Sequence, residues 1–283
     1  MSMPELVPVT DTDLDEFCRF LSRHLDPDKT PEQFRHAFEQ EWGMKQPNHG
    51  FVVRKDGEIV GGIGAIYAER SIGGGVHRIC NITSWCVLEA FRSQSMRLAM
   101  AVCSQDGLSF TDLTPTEVVA KSLQFLKFKP LDSDRTVILN IPRLTPGTRV
   151  EDDPERIGPL LPPQWQQVHR DHVHIPWLHR VVLVTGQGSC YVVYKKKTLK
   201  GLPSAEVLAV SDGEIFLRGL GRFSAYVLMR GGMISTRVES RFLPSRPNMS
   251  KVLSGYRQKM FRSTSLPALA IDNLYSELMA LDL

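Results

Sequence analysis

The run from Gly50 to Leu88, GFVVRKDGEIVGGIGAIYAERSIGGGVHRICNITSWCVL, does most to limit what this chain can fold into. Asp56-Gly57 lies between two stretches rich in apolar and β-branched residues, a strong hairpin signal. Gly73–Gly75 marks a second turn, so the run predicts three consecutive strands. Helical periods come before it. Asp11 or Thr12 caps a helix with Leu14, Phe17, Cys18 and Leu21 on one face. Thr30 and Pro31 open a second, striped by Phe34, Ala37, Phe38 and Trp42. After it, SMRLAMAVCSQ reads as a helix, LSFTDLTP as a short strand and TEVVAKSLQFLKF as a helix opened by Thr114, Pro115 and Thr116. RTVILNIPRL is then expected to close the first half as a strand.

Proline and charge concentrate in TPGTRVEDDPERIGPLLPPQW, which makes residues 146–165 the expected linker between a domain at 1–145 and another at 166–283. The second half repeats the order of elements. CYVVYKKKTLKGLPSAEVLAVSDGEIF reads as strand, turn, strand; RFSAYVLMRGG as a helix; MISTRVESRFL as a strand. MSKVLSGYRQKMFR is expected to be a helix carrying Val252, Tyr256 and Met260, and AIDNLYSELMALDL a final strand. The recurring order β-β-α-β-α-β argues for an internal duplication; one α+β domain with a long insertion is the alternative.

Composition matters here for what it excludes. A formal net charge of +3 over 283 residues is too mild to argue for nucleic acid, yet it does not oppose a polyanionic cofactor. No apolar run is long enough to span a membrane, and the N-terminal MSMPELVPVTDTDLDEF lacks the basic start and apolar core of a signal peptide. Five scattered cysteines without a C-x-x-C pair suggest reduced thiols and a cytoplasmic protein. Cys86 is expected to be a buried core thiol rather than a nucleophile.

Two helices, an antiparallel meander, a strand–turn–helix and a strand–helix–strand, from about Leu6 to Pro142, resemble the GNAT (Gcn5-related N-acetyltransferase) superfamily. The most specific part is VLEAFRSQSMR, where Arg92-Ser93-Gln94-Ser95-Met96-Arg97 is similar to the family signature Arg/Gln-x-x-Gly-x-Gly/Ala. SLQFLKF resembles the helix that ends in Leu-Gly-Phe in the family. The resemblance implies a mixed α/β, acyl-CoA N-acyltransferase-like fold in two tandem copies, the second degenerate, each a largely antiparallel sheet flanked by helices. It implies acetyl-CoA or another acyl-CoA as co-substrate, with the pantetheine arm along Trp85, Cys86 and Val87 and the diphosphate at Arg92–Arg97. The physical basis is independent of the family: a helix N-terminus presents unpaired N–H groups and partial positive charge to an anion.

Serines replace small residues at Ser93 and Ser95, and Arg97 replaces glycine or alanine, so this side chain must either grip a phosphate or point away. Gln124 occupies the slot of the family's tyrosine. Glu69 and His77 are the candidate bases for an amine acceptor, either a small molecule or a peptide, attacking the thioester directly. An acyl carrier protein is an alternative donor, and a tandem fold that binds without catalysis an alternative function. The imidazoles of VHRDHVHIPWLH do not complete a known zinc pattern, so no metal is expected. Lys195–Lys197 and Lys200 are expected in a solvated loop, and RGLGRF marks where duplication would place a second anion turn.

Overall fold

The computed structural model describes residues 3–143, 145–255 and 258–282. It divides into two compact units: Met1–Leu131 with Arg257–Ile271 and Tyr275–Leu283, and Asp132–Tyr256 with Asp272–Leu274.

In the first unit, strand β1 (Glu5–Pro8) leads into helices α1 (Leu14–His24) and α2 (Pro31–Phe38). Sequence reading missed β1, whose four residues are too few to show a period. The Thr30 hydroxyl accepts from Gln33 N–H while the Gln33 side chain accepts from Thr30 N–H, closing a capping box at the start of α2. Strands β2 (Gly50–Lys55), β3 (Glu58–Ile72) and β4 (Gly75–Val87) form the expected meander. A 3-10 turn at Glu89–Gln94 runs into α3 (Ser95–Cys103); β5 (Leu108–Asp112), α4 (Glu117–Phe125) and β6 (Lys129–Leu131) follow.

The second unit opens with β7 (Arg135–Leu139) and β8 (Arg149–Glu151). Short helix α5 (Pro154–Ile157) and α6 (Pro163–His172) lead to β9 (His179–Thr185), β10 (Gly188–Leu199) and β11 (Leu202–Val210). The long helix α7 (Gly213–Gly231), β12 (Ser235–Glu239) and β13 (Ser250–Leu253) complete it. The chain then returns to the first unit as β14 (Lys259–Arg262) and the four-residue helix α8 (Glu277–Ala280).

Each unit is built on a mixed seven-stranded sheet, ordered β1-β2-β3-β4-β5-β14-β6 in the first and β13-β7-β12-β11-β10-β9-β8 in the second. One core of the first unit sets Tyr67, Ile82 and Phe110 from the strands with Leu98, Val102 and Leu123 from α3 and α4. Gly62 and Gly64 on β3 let aromatic rings lie directly on the backbone. A Cβ at Gly62 would come within 2.4 Å of Phe17, and one at Gly64 within 2.6 Å of Phe38. In the second unit, Phe216, Phe223 and Val227 of α7 pack on Val192, Tyr194 and Val238 of the sheet.

Several expectations are corrected here. Residues 146–165 are no plain linker, because they hold β8, α5 and the start of α6. RTVILNIPRL does not close the first sheet; its strand β7 pairs with β12 and β13 of the second. The expected helix over MSKVLSGYRQKMFR is two strands in different sheets, β13 and β14, although Tyr256 itself lies outside the described residues. AIDNLYSELMALDL holds the short helix α8 instead of a strand. Long-range pairing overrode local propensity at these sites. No helix among the described residues is long and apolar enough to cross a membrane.

Candidate functional site

The central feature of the first unit is a fork. Strands β4 and β5 pair in parallel only from Arg78↔Leu108 to Asn81↔Thr111. At that last rung the Asn81 amide donates to the Thr111 hydroxyl (3.1 Å). Beyond it β4 runs on to Val87 with no strand among the described residues beside its β5-facing edge, while β5 ends at Asp112. The register against β3 slips between Gly64↔Thr83 and Gly62↔Cys86, which puts one extra residue in β4. Ser84 sits in this bulge at φ 51°, a left-handed conformation that non-glycine residues seldom adopt. A bulge next to an opened ladder re-aims backbone groups and side chains toward the gap. Trp85, Cys86 and Val87 lie on this free stretch, as expected.

The turn after β4 differs from an open phosphate cradle. Residues Glu89–Gln94 are wound into a 3-10 helix, and Ser95 N–H donates to Arg92 C=O before α3 begins. Arg97 is turned back: its guanidinium donates to the Gln94 side-chain oxygen and, at 3.5 Å, to Pro4 C=O. It therefore points along α3 toward β1 and does not fill the turn. Arg92 and Ser93 are exposed, and Gln94, Ser95 and Met96 are half-buried.

Inside the fork lies a cleft of about 260 Å³. Thr83, Ser84 and Trp85 line it from β4; Asp112, Thr114 and Thr116 line it from the end of β5 and the start of α4. Leu25, Asp26, Lys29 and Phe34 close it from the α1–α2 connection and α2, and Leu281 from the C-terminal segment. Lys29 sits 3.7 Å from Asp26 and donates to Asp282 C=O at 3.1 Å. The Trp85 indole N–H is buried there with no hydrogen-bond partner.

The cleft's chemistry centres on two buried carboxyls. Asp112 accepts from Thr114 N–H (3.3 Å), and burial together with the nearby Glu277 charge pushes its pKa well up. Glu277 comes from α8. Its Oε1 accepts from Thr114 Oγ1 (2.9 Å) and Leu113 N–H (3.2 Å), and its own N–H donates to Asn81 Oδ1 (2.9 Å). Its Oε2 is buried without a partner. Burial raises the Glu277 pKa too, opposed by Thr114, by backbone and Asn81 hydrogen bonds, and by Lys259. Sequence reading named neither residue. A carboxylate ending the short strand LSFTD, and Ser276 capping the helix that starts at Glu277, were the signals available.

The candidate bases are placed elsewhere. Glu69 faces Arg78 and His77 faces Arg70 near the closed end of the β3–β4 hairpin. Six residues of strand, roughly 20 Å, separate His77 from Thr83. Neither side chain lines the cleft, and His77 instead approaches Ser265 Oγ at 3.4 Å. Gln124 is exposed on α4 and does not line the cleft either. Cys86 is half-buried with its thiol pKa raised by desolvation, the opposite of an activated nucleophile.

In the second unit, His169 and His172 lie on α6. His169 Nδ1 meets Tyr191 OH at 2.9 Å and its Nε2 meets Pro154 C=O at 3.3 Å, so the ring serves as a buried strut. Among the described residues no three His, Cys, Asp or Glu side chains are grouped to hold a metal ion. Lys195 is not in a solvated loop but buried on β10, with its ammonium 5.8 Å from the centre of the Trp177 ring. RGLGRF lies inside α7, where a Cβ at Gly221 would come within 2.8 Å of Arg143; its glycine serves packing and not a turn.

No family model and no curated protein matches the sequence. Solved structures do. A GCN5-related N-acetyltransferase from Anabaena variabilis aligns over 92% of this chain and 72% of its own, with TM-score 0.61 and 11% identity. One from Kribbella flavida aligns over 94% and 72%, with TM-score 0.59 and 15% identity. Eis1 from Mycobacterium abscessus aligns over 92% and 73%, with TM-score 0.52 and 14% identity. The forked parallel pair, the bulged strand before the turn and helix, and these likenesses agree: the chain has the fold of the GCN5-related N-acetyltransferases.

Proposed function

We propose that this protein transfers an acetyl or other acyl group from coenzyme A to an amine, using the cleft of its first unit. The observation that carries the reading is the fork: a bulged β4 whose free edge, beyond Asn81↔Thr111, borders a cleft lined with polar groups. An extended pantetheine arm can pair with such an edge as an added strand does. The thioester at its end then lies at the cleft, where the amine attacks directly and the thiolate leaves. The start of α3, with Arg92 exposed beside it, is available to the diphosphate. An acyl carrier protein, whose thioester ends in the same arm, is an alternative donor.

A second reading, binding without turnover, draws on the wound 3-10 turn, the Arg97–Gln94 contact and the lack of a phenol among the cleft-lining residues. Calorimetry with acetyl-CoA and with coenzyme A tests donor binding, and product analysis with amines tests transfer. Saturable binding with acylated product supports the first reading; binding alone supports the second. Heat signals no larger than buffer for any coenzyme A ester would overturn both.

A further inference from the structure

We propose that Asp112 takes the proton from the acceptor amine, with Glu277, delivered by the C-terminal helix, as the positioning residue behind it. The acceptor is then a protonated alkylamine. This rests on the acyl-transfer reading and deepens it.

The placement carries the argument. Asp112 is the one carboxylate among the cleft-lining residues that belongs to the fork itself, on the residue after the last β4–β5 rung. Asp26, the other carboxylate lining the cleft, is already engaged by Lys29 at 3.7 Å. Behind Asp112 stands Glu277, fully buried and held by Thr114 Oγ1, Leu113 N–H and, through its backbone, Asn81. Glu277 Oε2 is a buried oxygen with no partner, an expensive arrangement for a merely structural carboxylate. Polar and charged groups surround the pair from several elements. Asn81 comes from β4, Thr111 from β5 and Lys259 from β14; the loop into α4 gives Thr114, and the α1–α2 connection gives Lys29 with Asp26.

Burial raises the pKa of both carboxyls; at Glu277 hydrogen bonds and Lys259 oppose it, while any charge on Glu277 adds to the effect of burial on Asp112. Such a carboxylate is a stronger base than a solvated one. The step balances as follows. The Asp112 carboxylate takes one proton from R–NH₃⁺, and the freed nitrogen lone pair attacks the thioester carbonyl. The C–N bond forms, the C–S bond breaks and its electron pair leaves on sulfur. A second nitrogen proton neutralises the thiolate, and Asp112 releases its own proton to solvent.

The test uses the whole chain with acetyl-CoA and three amines: spermidine, L-lysine and 2-phenylethylamine. With Asp112→Asn, kcat/KM should fall at least ~100-fold while coenzyme A affinity stays within about twofold. With Glu277→Gln, the acid limb of the kcat/KM profile should move to lower pH, because a like charge behind Asp112 is gone. An active wild type whose D112N variant keeps more than about a tenth of its activity overturns the inference alone. So does an acid limb unmoved in a folded E277Q protein. A wild type that acylates none of the three amines overturns the acyl-transfer reading, and the inference with it.

Discussion

At the residue scale, single side chains decide how the site is tuned. Arg97, the residue that most departs from a glycine-rich turn, is folded back on Gln94 and Pro4. Arg92 is exposed at the same turn. Arg92→Ala should therefore weaken coenzyme A binding roughly tenfold, about 1.4 kcal/mol, and more at low salt. Arg97→Ala should change it less than twofold; calorimetry at two salt concentrations checks both. The buried carboxyls make a second prediction. Their folded-state pKa values lie above those of the unfolded chain, so the native state binds more protons above about pH 4. Stability contributed by the protonated forms is full below that value and is lost as pH rises through the raised values. Glu277→Gln should flatten this fall, read from urea midpoints taken between about pH 4 and 8. An unchanged slope would mean that Glu277 keeps an ordinary carboxylate's titration.

At the element scale, local chemistry and close packing act separately. The capping box at Thr30 was legible because its residues satisfy orphan N–H groups within one turn. Thr30→Ala should cost about 1 kcal/mol in chemical denaturation, with the fold kept. Gly64 gave no comparable signal, since nothing local shows that Phe38 lies on it. Gly64→Ala should cost about 1–3 kcal/mol, because the methyl would have to displace a buried ring. The bulge at Ser84 was equally hidden, because it depends on register against β3 and no glycine announces the positive φ. The meander and α1 to α4 were readable from period and turn residues, whereas MSKVLSGYRQKMFR carried a helical period and formed two strands.

At the scale of the whole molecule, the order of strands matters more than the order of elements along the chain. β14 lies between β5 and β6, pairing Met260↔Asp112 on one side and Met260↔Pro130 on the other. The first 131 residues thus lack an internal strand of their own sheet, and they lack Glu277 as well. A fragment of residues 1–145 should show no cooperative thermal transition by circular dichroism. Adding a peptide of residues 257–283, which supplies the missing strand, should restore one. A cooperative transition in the fragment alone would show that the remaining strands suffice.

The sequence by itself determined the mixed helix-and-strand composition, the meander, the cap at Thr30 and the position of the strand–turn–helix at Val87–Val102, because these depend on neighbours within a few residues, whereas α1 starts from Asp13 and not from the expected Asp11 or Thr12. Only the tertiary structure decided which carboxylates meet in the cleft. Asp112 and Glu277 are 165 residues apart, and the strand return and α8 that unite them are non-local. Glu69 and His77 looked plausible along the chain but lie far up the hairpin, since a strand's rise of about 3.3 Å per residue carries them away from the fork.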